Sequence, residues 1–276
     1  MSDQHRADFI IDVLTREFGD LMALDPAAFR RKFRKMAASP FAFYRGSASL
    51  FYADQTGAFR DDTFLDARTS RVWIHGDLHA ENFGTYMNAS GRLVFNVNDF
   101  DEAYVGPFIW DLKRFSASVA LIGYSKALSD QVITELVSTF AGAYLTELRA
   151  IAAGGDDAIG SITLENADGV LRRVLQEARL NTRVDLLEGQ TTIDDYERRF
   201  SMHDGVYEVD EATVEQVTTA FEQYQTTLPE ATRPVATNIK DVKMRRALAS
   251  ARPACPRTTC CPRGTPRPWR TTSSST

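Results

Sequence analysis

Two short apolar runs in this chain each end at a group of acidic, amide and histidine side chains. The first run is Val72–Ile74, followed by His75–His79 and Asn82; the second is Leu93–Val97, followed by 98–102. Short β-rich runs of this kind are typical of buried strands. Several carboxylates in one place repel each other unless a cation or hydrogen bonds stabilise them. The pattern therefore predicts a site at the ends of two strands, facing a cleft.

Apolar residues at helical spacing dominate the rest of the chain. Phe29, Phe33 and Met36 recur at this spacing within Ala27–Ala38, directly after the helix-starting pair Asp25-Pro26. Further helices are predicted at Pro107–Leu128, Ser129–Ile151, Asn166–Leu187 and Asp210–Thr226, and a hairpin over Tyr196–Val209 with its turn at Asp204-Gly205. Two or three short strands among many helices indicate an α+β fold.

The composition is that of a soluble globular chain and excludes several functional classes. The 276 residues are 43% hydrophobic and 25% charged, which is enough for one or two domains. No apolar run approaches the ~18–20 residues of a membrane span, so we expect a cytoplasmic protein without a membrane partner. Residues 1–246 carry 27 Lys+Arg against 37 Asp+Glu. This acidic body without a basic stripe predicts no nucleic-acid partner.

The last thirty residues, 247–276, differ sharply in composition from the rest. They hold all three cysteines, five of the ten prolines, five arginines and no acidic residue. Such a segment buries too little apolar surface to offset the entropy of ordering, which predicts a disordered tail. We predict an N-terminal helical segment over residues 1–38 and the main domain over residues 39–246.

The spacing of the polar residues after the two strands matches a known chemistry. Asp77 and Asn82 are five residues apart, the interval of the catalytic loop of protein kinases, and Asp99-Phe100 stands where those enzymes carry a magnesium-binding Asp-Phe pair. Hard carboxylate and amide oxygens suit magnesium. The spacing therefore predicts a magnesium-dependent phosphoryl-transfer site.

Longer motifs extend this likeness. His75-Gly76-Asp77 with His79 and Asn82 resembles the branch of the kinase-like fold that phosphorylates aminoglycosides and choline. The blocks SPFAFYRG (39–46), HGDLHAENFG (75–84), NDFDEA (98–103) and GPFIWDLKRFSAS (106–118) together resemble the bacterial domain-of-unknown-function family 2252, over residues 30 to 246 approximately.

This resemblance implies a fold, cofactors and residue roles. The fold would be kinase-like, represented mainly by its helical C-lobe, with ATP and Mg²⁺ as cofactors and a small hydroxyl-bearing molecule as acceptor. Asp77 would be the general base, Asn82 and Asp99 the metal ligands, and Asp111 an acid that braces the loop. Arg45 and Lys113 are basic motif positions and candidates for contact with phosphate, although the resemblance itself fixes no role for them.

The same resemblance implies that this chain is incomplete. A glycine-rich segment and a lysine-bearing strand are expected near residue 247, and neither stands there. A change of reading frame near that residue would leave a truncated protein with little or no activity. The alternative is a genuine disordered tail.

Other interpretations of the motifs remain open. Asp77, Asn82 and Asp99 are also common loop-capping residues at strand ends. The protein could be a non-catalytic module that binds a metal–nucleotide complex, or a metal-dependent hydrolase using His75, Asp77 and His79. The phosphotransferase interpretation instead expects His75 to face inward behind the loop. The acceptor, the preferred nucleotide and the oligomeric state are not fixed by the sequence.

Overall fold

The structure is a computed structural model that describes residues 3–154, 161–203, 206–230 and 239–245. Its contacts divide the chain into two compact units, with the boundary between Leu175 and Gln176. Both polar motifs lie in the first unit. The predicted tail, 247–276, and the predicted turn at Asp204-Gly205 lie outside the described residues.

Four helices build the beginning of the first unit. They are α1 (Asp3–Leu24), α2 (Pro26–Met36), α3 (Pro40–Gly46) and α4 (Ala48–Thr56). The α2 helix starts where predicted, because the Asp25 carboxylate accepts a hydrogen bond from the Ala28 N–H at 2.9 Å and caps the helix. Leu14, Phe18 and Phe29 form a buried cluster between α1 and α2. The α2 and α3 helices pack together. The predicted N-terminal segment, 1–38, and the beginning of the predicted main domain therefore belong to one compact unit.

Two antiparallel ribbons follow. Strand β1 (Val72–Ile74) pairs with β4 (Tyr104–Gly106), and β2 (Phe83–Met87) pairs with β3 (Leu93–Val97). The strands predicted at 72–74 and 93–97 are therefore confirmed in position, and they belong to different ribbons. The predicted burial of the first strand is wrong, because Val72 and Trp73 are exposed and only Ile74 is buried. A 3₁₀ turn at Ala80–Asn82 precedes β2, and another at Phe100–Glu102 follows β3.

Two long helices complete the part of the first unit that carries the site. They are α5 (Phe108–Ser125) and α6 (Asp130–Ala152), close to the predicted bounds. Ser129 caps α6 by accepting a hydrogen bond from the Val132 N–H. The two helices pack against each other, with the rings of Phe115 and Phe140 only 4.4 Å apart between centroids. Helix α5 consequently has one side fixed against α6 while another faces the loop after β1.

The second unit contains short elements and differs from the prediction at two places. Helix α7 (Gly169–Leu180) crosses the boundary between the units and is followed by α8 (Arg183–Gln190). Strands β5 (Thr191–Asp194) and β6 (Glu197–Phe200) form a hairpin. Strand β7 (Val206–Tyr207) precedes α9 (Glu211–Thr227) and pairs with β8 (Met244–Arg245). The single helix predicted over 166–187 is wrong, because Thr182 and Asp185 form a capping box that starts a new helix. The hairpin predicted over 196–209 is also wrong: the turn is at Asp195-Tyr196, both with positive φ.

The remaining predictions for this unit fit the structure. Helix α9 lies within one residue of its predicted bounds, with Asp210 as its cap.

Among the described helices of the whole chain, none has the length and apolar character needed to cross a membrane.

Candidate functional site

The segments that follow β1 and β3 are joined to each other. The His75 ring Nε2 hydrogen-bonds the carbonyl oxygen of Asn98 at 2.8 Å, and the Asn98 N–H donates to the carbonyl oxygen of Asn82 at 2.8 Å. Gly76 has a φ of +86°, and a Cβ placed there would lie 2.8 Å from the Glu102 carbonyl carbon and closer still to its oxygen. The two motifs predicted from the sequence therefore form one site.

Side chains within the loop cap its own 3₁₀ turn. The His79 Nδ1 accepts a hydrogen bond from the Glu81 N–H at 3.2 Å, and the Asn82 Oδ1 accepts one from the His79 N–H at 2.7 Å. His79 and Asn82 are both 2% exposed. The Asn82 side chain therefore caps the turn, and its oxygen retains one lone pair for another partner. The role of Asn82 as a metal ligand stays a prediction.

One face of α5 holds the loop through polar side chains at positions 111, 114 and 118. The Asp111 Oδ2 accepts a hydrogen bond from the His75 N–H at 2.6 Å, and its Oδ1 accepts one from the Gly76 N–H at 3.1 Å. Asp111 therefore braces the loop, in the position that the resemblance implies. The fully buried Ser118 hydroxyl accepts from the Ala80 N–H at 3.1 Å. Residues three and seven apart lie on one helix face, which explains this alignment.

Arg114 is the third member of this face and holds Asp77 itself. Its Nε donates to the Asp77 Oδ1 at 2.7 Å, and its Nη2 pairs with the same oxygen. The guanidinium is fully buried, with its carbon 4.5 Å from the Tyr44 ring centroid and 5.3 Å from that of Phe51. Arg114 was not predicted as a site residue. Its spacing from Asp111 and Ser118, on a helix that is otherwise apolar on that side, is the sequence feature that could have indicated its role.

The environment of Asp77 changes its acidity in a direction useful to a base. Burial raises the pKa of the Asp77 carboxyl, the Arg114 charge opposes that rise, and the negative charge of Asp101 adds to it. Asp101 acts on Asp77 although it belongs to the other motif. The Asp77 Oδ2 lies 4.0 Å from the His79 Nε2. Burial, with the Arg45 charge second, lowers the pKa of His79 to about 4, so this ring is neutral at pH 7.

The acidic segment after β3 presents oxygen ligands to solvent. Asp99 has left-handed backbone angles (φ 65°, ψ 54°), is exposed and does not cap the turn that follows it. Asp101 is exposed as well. A magnesium ion is usually held by one or two carboxylates, with water and substrate phosphates completing its shell. Asp99 fits such a site by chemistry and exposure.

The two basic motif positions have different neighbours. Arg45 forms an ion pair with Glu81, within the loop after β1. Lys113 instead donates to the Gln55 Oε1 at 3.2 Å and to the Asp61 Oδ2 at 3.3 Å. Both of these partners lie outside the two polar motifs. Arg45 is therefore bound to the loop after β1, and Lys113 is bound to the end of α4 and to the segment that follows it.

Residues 24–248 match the family described as uncharacterized protein conserved in bacteria (DUF2252). The chain belongs to this family. The matched region contains both polar motifs and helix α5, so the site described above lies within the part that identifies DUF2252. No curated protein and no solved structure matches the chain.

In this DUF2252 chain His75 faces inward, as predicted. It is 5% exposed, its Nε2 bonds to Asn98, and its Nδ1 accepts a hydrogen bond from the Asp77 N–H at 3.3 Å. Both ring nitrogens are thus engaged with the backbone, which leaves none for the metal of the hydrolase alternative. Across the described ranges, no three His, Cys, Asp or Glu side chains are grouped to hold one ion.

Proposed function

We propose that this protein is a kinase-like phosphotransferase that moves a phosphoryl group from ATP to a small hydroxyl-bearing acceptor with Mg²⁺. The observation that carries the proposal is the joining of the two motifs around Asp77. Its carboxylate is anchored through one oxygen, has a raised pKa, and feels the charge of Asp101 in the acidic segment after β3. Phosphoryl transfer depends mostly on positioning and charge neutralisation, and an anchored base beside exposed carboxylates supports it.

Asp77 has the role of general base in this proposal. The acceptor's hydroxyl oxygen forms a bond to the γ-phosphorus while the bond from that phosphorus to the bridging oxygen breaks, and ADP leaves. The hydroxyl proton passes to the Asp77 carboxylate. Burial raises the affinity of this carboxylate for a proton, and a base nearer in pKa to the working pH is a better one.

The remaining roles follow from chemistry and exposure. Asp99, with Asn82 as its proposed partner, would hold Mg²⁺, which when bound neutralises charge on the nucleotide phosphates. Arg45 is 39% exposed in its side chain and its partner Glu81 is 51% exposed. A surface ion pair of this kind is worth at most about 1 kcal/mol, so a phosphate group would compete for Arg45 with little penalty.

The test is ATP turnover by the full chain with magnesium, first with water as acceptor and then with small alcohols. Asp77→Asn should lower turnover by about 10²–10⁴-fold, the usual contribution of a positioned base. Asp99→Asn should raise the magnesium concentration needed for half-maximal turnover. Asp12→Asn is a matched control, because Asp12 also pairs with an arginine but lies on the exposed surface of α1. Full turnover by Asp77→Asn would refute the assignment.

One observation favours a non-catalytic binding module as a second candidate. Asp77 is the counter-ion of a fully buried arginine, and a buried cation needs such a partner whether or not catalysis occurs. This candidate predicts that the chain binds magnesium ATP without turning it over, and that Asp99→Asn weakens the binding. Calorimetric titration with a non-hydrolysable ATP analogue and magnesium measures that affinity directly.

A further inference from the structure

Arg114 contacts a single oxygen of the Asp77 carboxylate, by a hydrogen bond from Nε and an ion-pair contact from Nη2. Arginine and aspartate often pair side by side, with one bond to each oxygen. The pair Arg6–Asp54 of the same unit has that form, with Nη1 to Oδ1 and Nη2 to Oδ2 both at 2.6 Å. At Asp77, by contrast, the Arg114 Nε and Nη2 both reach Oδ1. The structure thus distinguishes the two oxygens of this carboxylate.

The second oxygen, Oδ2, is left for another partner. The His79 Nε2 lies 4.0 Å from Oδ2, which is beyond hydrogen-bond distance. The Asp77 side chain remains 23% exposed, whereas the Arg114 side chain beneath it is completely covered. Because Oδ1 is held by Arg114 and the Asp77 side chain is partly exposed, Oδ2 is the oxygen that we assign to an incoming hydroxyl group.

The arrangement around Arg114 fixes the direction of its hydrogen bonds. The guanidinium lies against the rings of Tyr44 and Phe51, and its Nη2 also donates to the Tyr44 carbonyl oxygen at 3.1 Å. Within the described part of the chain, its Nη1 is buried and has no hydrogen-bond partner. An unpaired buried polar group lowers stability, so the burial of this arginine is not optimised for stability alone. Its geometry is explained by the constraint that it places on Asp77.

We propose that Arg114 is a positioning residue that holds Asp77 by Oδ1, so that Oδ2 faces the acceptor and takes the hydroxyl proton. The inference rests on the proposed function, because it needs Asp77 to act as the base. Other charged or titratable groups near Asp77 are Tyr44, His75, His79 and Asp101. None of them donates a side-chain hydrogen bond to its carboxylate, so they do not replace Arg114. Lysine keeps the charge but offers no planar fork, and it cannot reproduce both contacts of Arg114 with Oδ1.

The test is a double-mutant cycle on turnover of magnesium ATP with water as acceptor. Arg114→Lys should lower kcat by about 10- to 100-fold, the effect of misplacing a reacting group by roughly 1 Å. The KM for ATP should change by less than about twofold, because Arg114 is covered and acts only through Asp77. In the Asp77→Asn background, Arg114→Lys should have no further effect on kcat. An equal loss in both backgrounds, or full activity of Arg114→Lys, would overturn the proposal.

Controls separate this inference from folding and from the proposed function. Arg6→Lys alters a partly buried arginine–aspartate pair away from the site and should keep the wild-type kcat. If Asp77→Asn alone keeps full turnover, the base assignment fails, and the role of Arg114 fails with it. If the wild-type chain turns over no ATP, which truncation near residue 247 also predicts, the pairing is judged by NMR. The Arg114 Nε–H resonance should then shift in Asp77→Asn and not in Asp12→Asn; an unchanged resonance overturns the pairing.

Discussion

Replacing Gly76 with alanine is expected to destabilise the first unit through one identifiable contact. Gly76 has a φ of +86°, where alanine is strained, and its added Cβ would meet the Glu102 carbonyl group at 2.8 Å or less. The obstacle is backbone, so no side-chain rotation relieves it. Either the loop after β1 or the turn at 100–102 must move, and the two motifs separate.

The magnitude follows from these two effects. A left-handed backbone costs a residue with a Cβ roughly 1–2 kcal/mol relative to glycine, and overpacking against a rigid neighbour adds about 1–3 kcal/mol. Together they predict a loss of about 3 kcal/mol in the free energy of unfolding. Gly91 provides a matched control, because its φ is +70° and nothing lies within 4 Å of its added Cβ. Gly91→Ala should therefore lose only the first contribution.

Urea denaturation of the full chain, followed by far-UV circular dichroism, measures both losses. The difference between Gly76→Ala and Gly91→Ala isolates the contact with Glu102, and we expect it to be about 1–3 kcal/mol. Equal losses for the two variants would show that the loop after β1 does not lie against Glu102. That result would refute the joining of the two motifs on which the proposed site depends.

Three further predictions concern the same loop. Asp111→Asn places an amide NH₂ against one of the two backbone N–H groups that Asp111 accepts from and should cost about 1–3 kcal/mol in urea denaturation; a loss below 1 kcal/mol would contradict the bracing role. Ser118→Ala removes the acceptor for the Ala80 N–H and should cost about 1–2 kcal/mol in the same assay. The pKa of His79 falls from 6.5 to about 4 on folding, so below pH 6.5 the unfolded chain binds a proton that the folded chain does not. The free energy of unfolding should therefore decrease from pH 7 to pH 4, and His79→Asn, which keeps a capping oxygen, should reduce this decrease; an unchanged pH dependence would contradict the burial of His79.

The elements that the sequence predicts well are those defined by a local pattern. The strands at 72–74 and 93–97 are predicted because apolar runs end at polar clusters, and α5, α6 and α9 because of their long apolar periodicities. A capping residue also marks the start of α6 and α9. The break between α7 and α8 had a local signal too, in Thr182 and Asp185. The apolar periodicity over 166–187 concealed it.

The features that were missed depend on contacts between distant residues or on rare backbone angles. Tyr196 in a positive-φ turn is unusual for a residue with a large side chain, and Asp204-Gly205 is the more familiar turn sequence. Arg114 could not be assigned to Asp77 from sequence, because the two residues are 37 positions apart. The pairing of β1 with β4 brings them together, by packing the start of α5 against the loop. Family membership rests on the motifs themselves and was identified from sequence.

The polar face of α5 also has a consequence for hydrogen exchange. The N–H groups of His75, Gly76 and Ala80 belong to a loop, yet their acceptors are side chains of one long helix. A loop held in this way cannot open by local fluctuation of its own backbone alone, because three separate contacts to α5 must break together. These amides should therefore exchange with solvent deuterium at rates close to those of the central amides of α5, as members of one cooperative unit. Catalytic loops are usually sought among the fast-exchanging segments of a protein, and here the candidate loop is expected among the slow ones.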